Sequence, residues 1–79
     1  MNEITFKYYN IDYNIKYSLN EKLKDIFNRF GEKIKYPLYY ITFFFNKNKL
    51  NNNITIKDIP NFENSQKIIK AVEICHNCK

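Results

Sequence analysis

The side chains with the most reactive chemistry sit together in Cys75-His76-Asn77-Cys78. Two thiolates at this spacing can supply half of a tetrahedral zinc site, which takes four ligands. His76 falls between the cysteines, where its ring diverges from a site that both share, and the sequence holds no other Cys or His. Cys75 and Cys78 are therefore a candidate half-site, and no complete metal centre is expected within the chain. Haem attachment needs His directly after the second Cys, where Lys79 stands instead. A redox pair belongs at the start of a helix, whose dipole lowers the thiol pKa, and no helical pattern follows here. One His, no phosphate loop, no nucleophile beside a base and no clustered carboxylates together predict a protein that is not an enzyme and uses no cofactor.

The second chemistry on offer is charge. Thirteen basic against eight acidic residues leave a net charge of +5, enough to draw a domain towards anionic partners. Lys47, Lys49, Lys57 and Lys70, with tyrosines to stack on bases, would make a nucleic-acid or anionic-surface module. Two observations weigh against it. Basic groups are spread over both halves of the chain, and lysine outnumbers arginine twelve to one, whereas base readout favours the bidentate guanidinium. Asn, Lys, Ile, Tyr and Phe fill 51 of the 79 positions. All use codons rich in A and T, so genome composition accounts for much of the bias. Nucleic acid is the alternative partner and not the expected one.

The elements that must position these groups follow from periodicity. Ile4, Phe6 and Tyr8 alternate with polar residues, as do Tyr13, Ile15 and Tyr17, with Tyr9-Asn10-Ile11-Asp12 between them. Two alternating runs around a short polar turn predict a β-hairpin. The period then changes to three and four: Leu19, Leu23, Ile26, Phe27 and Phe30 form one apolar stripe. Ser18 or Asn20 is the expected N-cap, Glu21 suits the positive end of the dipole, and Gly31 is placed to close the helix in the left-handed conformation. Pro37 ends any continuation, leaving Glu32 to Leu38 as a connector. Tyr40 to Asn46 is dense in aromatic and β-branched residues and predicts a strand. After a polar turn and the isolated Leu50, Thr55 and Asp58 suit the capping of a short helical turn, Pro60 to Ser65 is a loop, and Lys67 to Ile74 is a last strand.

This order resembles the ubiquitin family, most sharply in the stretch from Ile41 to Ile59, with its strand, polar turn, lone Leu50 and Thr55-Ile56-Lys57-Asp58. Leu23, Ile26, Phe30 and Pro37 match that family's helix core and the proline after it. The resemblance implies an α+β fold: a ubiquitin-like β-grasp with a mixed four- to five-stranded sheet packed on one helix, in the order ββαββ. It covers roughly residues 3–74, so the domain is placed at residues 1–74, with 75–79 a tail or the start of a continuation. Conjugated members of the family end in two glycines, and this chain has one glycine, Gly31, and reads Ile74-Cys-His-Asn-Cys-Lys79. It is therefore expected not to be a conjugated modifier.

What remains is recognition. Alternation through Tyr40–Phe45 turns Ile41, Phe43 and Phe45 to the helix and leaves Thr42 and Phe44 on the other face, with Phe44 directed to solvent. In the family an exposed apolar residue at this position centres the patch that partners use. The resemblance implies that role for Phe44, with Thr42, Tyr9, Lys70 and Val72 around it. The expected protein is thus a non-catalytic protein-interaction module, or a small subunit of a larger assembly, with a protein partner. No run of residues is long and apolar enough for a membrane helix, and the N-terminus lacks the basic start and apolar centre of a secretory signal. An intracellular location, cytoplasmic or nuclear, is expected.

Overall fold

The structure is a computed structural model that describes residues 2–62 and 66–74. Five strands, β1 (Asn2–Tyr8), β2 (Ile11–Tyr17), β3 (Ile41–Phe45), β4 (Asn48–Lys49) and β5 (Ile68–Glu73), form one sheet in the order β2-β1-β5-β3-β4. β1 and β5 run parallel, and the other neighbours are antiparallel. One helix, α1 (Leu23–Ile34), packs on one face. The order ββαββ expected from the sequence, with β4 as a two-residue fifth strand, is the order observed.

Local chemistry explains the hairpins. Both have two-residue turns whose residues lie at positive φ, Tyr9 (52°) and Asn10 (63°) in the first and Asn46 (51°) and Lys47 (68°) in the second. Such turns match the right-handed twist of the strands that they join. They set the register: Tyr8 faces Ile11, and Phe45 faces Asn48. Ile11 and Asp12, read from the sequence as part of the turn, are therefore the first residues of β2.

Ile4, Phe6, Tyr8, Ile15, Tyr17, Ile41, Phe43 and Phe45 point to the helix and are buried, as alternation requires. Phe30 stacks on Phe6 with ring centroids 4.7 Å apart, and Phe27 stacks on Phe43 at 3.9 Å. Phe62, assigned from the sequence to a loop, is 2% exposed and packs its ring against Phe45 at 5.0 Å and Tyr17 at 6.3 Å. It closes the end of the core beyond the helix stripe.

The structure corrects the helix ends. α1 starts at Leu23, so Leu19 precedes it and is exposed. Neither Ser18 nor Asn20 is the N-cap, a position held by Lys22 with no side-chain cap. The first free amides of α1 are satisfied from across the molecule: Leu23 N–H donates to the Ile54 carbonyl at 2.8 Å and Lys24 N–H to the Asn52 carbonyl at 3.0 Å. Any helix leaves its first four amides unpaired, and a backbone loop serves them as well as a side chain.

Gly31 does not close the helix. It lies inside α1, and Lys35 takes the left-handed cap conformation at φ 57° and ψ 45°, donating its N–H to the Gly31 carbonyl. The glycine is needed for a close approach instead: a Cβ on Gly31 would stand 2.9 Å from Cγ and Cδ2 of Leu38. The Thr55–Asp58 cap is present as expected, with the Asp58 carboxylate accepting from the Thr55 N–H at 3.1 Å and from its hydroxyl at 3.2 Å.

Candidate interaction face

The helix covers one side of the sheet, and the candidate residues lie on the other. β3 pairs with β5 so that Thr42 faces Val72 and Phe44 faces Lys70. β5 in turn pairs with β1 so that Lys70 faces Lys7 and Ile68 faces Thr5. Phe44 faces Lys49 across the second hairpin. A row of side chains thus crosses the outer face through Lys7, Lys70, Phe44 and Lys49. Thr42, Phe44, Lys70 and Val72, which were singled out from the sequence, are brought together by register alone.

Phe44, Ile68 and Val72 line a depression of about 390 Å³, whose other lining residues are Lys7, Asn46, Lys47 and Lys70. Among the described residues, three lysines and no carboxylate border it. Ile68 was not singled out from the sequence, because Ile68-Ile69 gives no alternation to choose a face. The structure sends Ile69 and Ala71 to the core and leaves Ile68 and Val72 outside.

One expectation changes here. Phe44 is half-buried and not fully directed to solvent. Lysines flank it on both neighbouring strands, and aliphatic lysine stems cover apolar surface while their ammonium groups stay in water. Ile68 and Val72, at 36% and 43% exposure, are more open than Phe44.

Tyr9, at 67% exposure, does not line that depression. It shares a smaller hollow of about 290 Å³ with Tyr8, Lys70, Val72 and Glu73. Tyr8 donates its hydroxyl to the Glu73 carboxylate, and burial together with this bond pushes the Tyr8 phenol well above its usual value. The Tyr9 phenol is also raised, first by its hydrogen bond to the same carboxylate. Glu73 thus ties the turn between β1 and β2 to the end of β5.

The lysines of the alternative reading are divided. Lys47 and Lys70 border the depression around Phe44. Lys49 also lines a separate groove of about 660 Å³ with Lys24, Leu38, Tyr39, Ile41 and Leu50. Lys57 belongs to the short 3-10 turn Ile56–Asp58 and lines none of these depressions. Cys75 and Cys78, the candidate half-site for a metal, lie outside the described residues; among the described residues no three His, Cys, Asp or Glu side chains gather to hold an ion. None of the described helices is long and apolar enough to cross a membrane.

No protein-family model matches the sequence, and no curated protein matches it. Among solved structures, the chain is similar to a computationally designed protein based on the template of human erythrocytic ubiquitin, determined in solution by NMR. The TM-score is 0.77 at 11% identity, over 100% of this chain and 99% of that one. At that identity the likeness concerns the path of the backbone and not the residues of any site. Five strands in a mixed sheet around one helix, matched over the whole length, give this chain the ubiquitin-like β-grasp fold.

Proposed function

We propose that the protein is a non-catalytic recognition module that binds a protein partner through the outer face of its sheet. The observation that carries the reading is the depression lined by Phe44, Ile68 and Val72 together with Lys7, Lys47 and Lys70. Lys70 stands between Ile68 and Val72 and opposite Phe44, so apolar groups and lysines are interleaved on this face, and the aliphatic lysine stems extend its apolar surface. Exposed apolar groups that contribute little to folding are candidates for energy gained on binding. Thr42 and Tyr9 lie at the edges of this face, where they would add polar contacts.

The test compares face variants with a control on the far groove. Val72→Glu alters an exposed side chain, and Phe44→Ala removes the half-buried ring. Proteins retained from a cell extract by the immobilised chain should be lost with both variants and kept with Tyr39→Ala. Retention that survives both variants would move the binding surface elsewhere. Retention abolished by nuclease and by modest salt, and sensitive to Lys47→Glu, would favour the nucleic-acid reading instead.

A further inference from the structure

We infer that the outer edge of β2 is a self-complementary strand-addition surface for a second copy of this chain, held shut in the monomer by Arg29 and Lys33. β2 is an edge strand of seven residues. A strand at an edge presents unpaired backbone groups that can template another strand. In a two-residue hairpin the residues flanking the turn exchange both of their hydrogen bonds. Ile11, Tyr13, Ile15 and Tyr17 therefore direct their backbone groups to β1, and Asp12, Asn14 and Lys16 direct theirs outward.

Two of those outward carbonyls are occupied. Arg29 Nη2 donates to the Lys16 carbonyl at 2.9 Å, and Lys33 Nζ reaches the Asn14 carbonyl at 3.5 Å. Arg29 is fixed in this position by Glu21, which accepts from its two terminal nitrogens at 2.7 and 2.6 Å. The helix thus places its cations on the acceptors that an incoming strand would need.

The side chains of the edge favour one particular guest. Asp12, Asn14 and Lys16 share the outer face, opposite Lys7, Thr5 and Glu3 of β1. An antiparallel second copy centred on Asn14 places Asp12 opposite Lys16 of the other copy, and Lys16 opposite its Asp12. Both ends then carry an opposite-charge pair, continued inward by the Lys7–Asp12 contact at 3.6 Å. Registers centred on Asp12 or Lys16 set like charges face to face, which is destabilising. A two-fold pairing of identical edges is closed and self-limiting, and it leaves the face around Phe44 free.

Sedimentation equilibrium on the full chain tests this. The wild type should be monomeric, and the double variant Arg29→Ala, Lys33→Ala should form a dimer at the same concentration, with circular dichroism confirming the fold. In that background Asp12→Lys should weaken the dimer about tenfold, and Asp12→Lys with Lys16→Asp should restore it. Amide exchange at Asp12, Asn14 and Lys16 should slow as the dimer forms. Should the double variant fail to fold, Glu21→Gln with Lys33→Ala loosens the same contacts while keeping the arginine. A folded, opened variant that stays monomeric overturns the inference. So does a dimer equally strong in the wild type, or one indifferent to Asp12→Lys.

Discussion

Three residues carry more of the structure than their types suggest. Glu21 faces the Arg29 guanidinium, and this hydrogen-bonded pairing holds its carboxyl below the ordinary value of 4.5. A depressed carboxyl contributes stability that is present above the ordinary value and lost as pH falls through the folded one. Glu21→Gln should therefore flatten the acid side of the stability curve, as read by urea denaturation between neutral pH and pH values below the carboxylate range. Tyr8 works in the opposite sense. Burial first, and then its bond to Glu73, raise the phenol above 10.0. Its contribution is complete below that value and lost as pH rises through the folded one. Tyr8→Phe should abolish that alkaline loss, as read by urea denaturation between neutral pH and pH values above 10.0. Gly31→Ala sets two effects against each other. Alanine favours a helix interior by roughly 1 kcal/mol over glycine, but the new methyl would stand 2.9 Å from two Leu38 carbons. Overpacking of this kind costs about 1–3 kcal/mol, so the variant should lose stability on balance, and a gain would show that Leu38 moves freely.

At the scale of elements, the helix and the last strand contrast. The stripe Leu23, Ile26, Phe27 and Phe30 is buried throughout, and Phe30 meets the rings of Phe6, Tyr8, Tyr13 and Phe43. Phe30→Ala should cost on the order of 3–5 kcal/mol, a large share of the roughly 5–10 kcal/mol that holds a domain of this size. A change below about 1 kcal/mol in chemical denaturation would contradict this packing. The helix was legible because its apolar spacing of three and four has a single solution. β5 was not. Ile68-Ile69-Lys70-Ala71-Val72 offers apolar residues to both faces, and only pairing with β1 and β3 sends Ile69 and Ala71 inward.

For the whole molecule, the sheet has a covered face and an open one, and Phe44 belongs to the open face while being half-buried. Phe44→Ala should cost about 1–2 kcal/mol of stability, between a surface site and a core phenylalanine, while weakening partner binding by about 2 kcal/mol. Global unfolding by Phe44→Ala would place the ring in the core and invert the face. Val72→Glu separates the two effects, since its exposed side chain can change binding with little effect on folding.

The sequence by itself determined whatever depends on residues close in the chain. Alternation grouped Ile4, Phe6 and Tyr8 in one strand and Tyr13, Ile15 and Tyr17 in the next, all buried except the half-buried Tyr13. It assigned Ile41, Phe43 and Phe45 to the helix side, and the three-residue spacing of Thr55 and Asp58 announced their cap. Tertiary structure decided whatever is satisfied from a distance. The α1 amides bond to Asn52 and Ile54, Gly31 makes room for Leu38, and the β2 carbonyls receive Arg29 and Lys33. Register between β3 and β5 gathers Phe44, Ile68 and Val72 on one face. The division is physical: periodicity is a property of consecutive dihedral angles, whereas a backbone donor or a gap beside glycine takes any partner that the folded chain brings within reach.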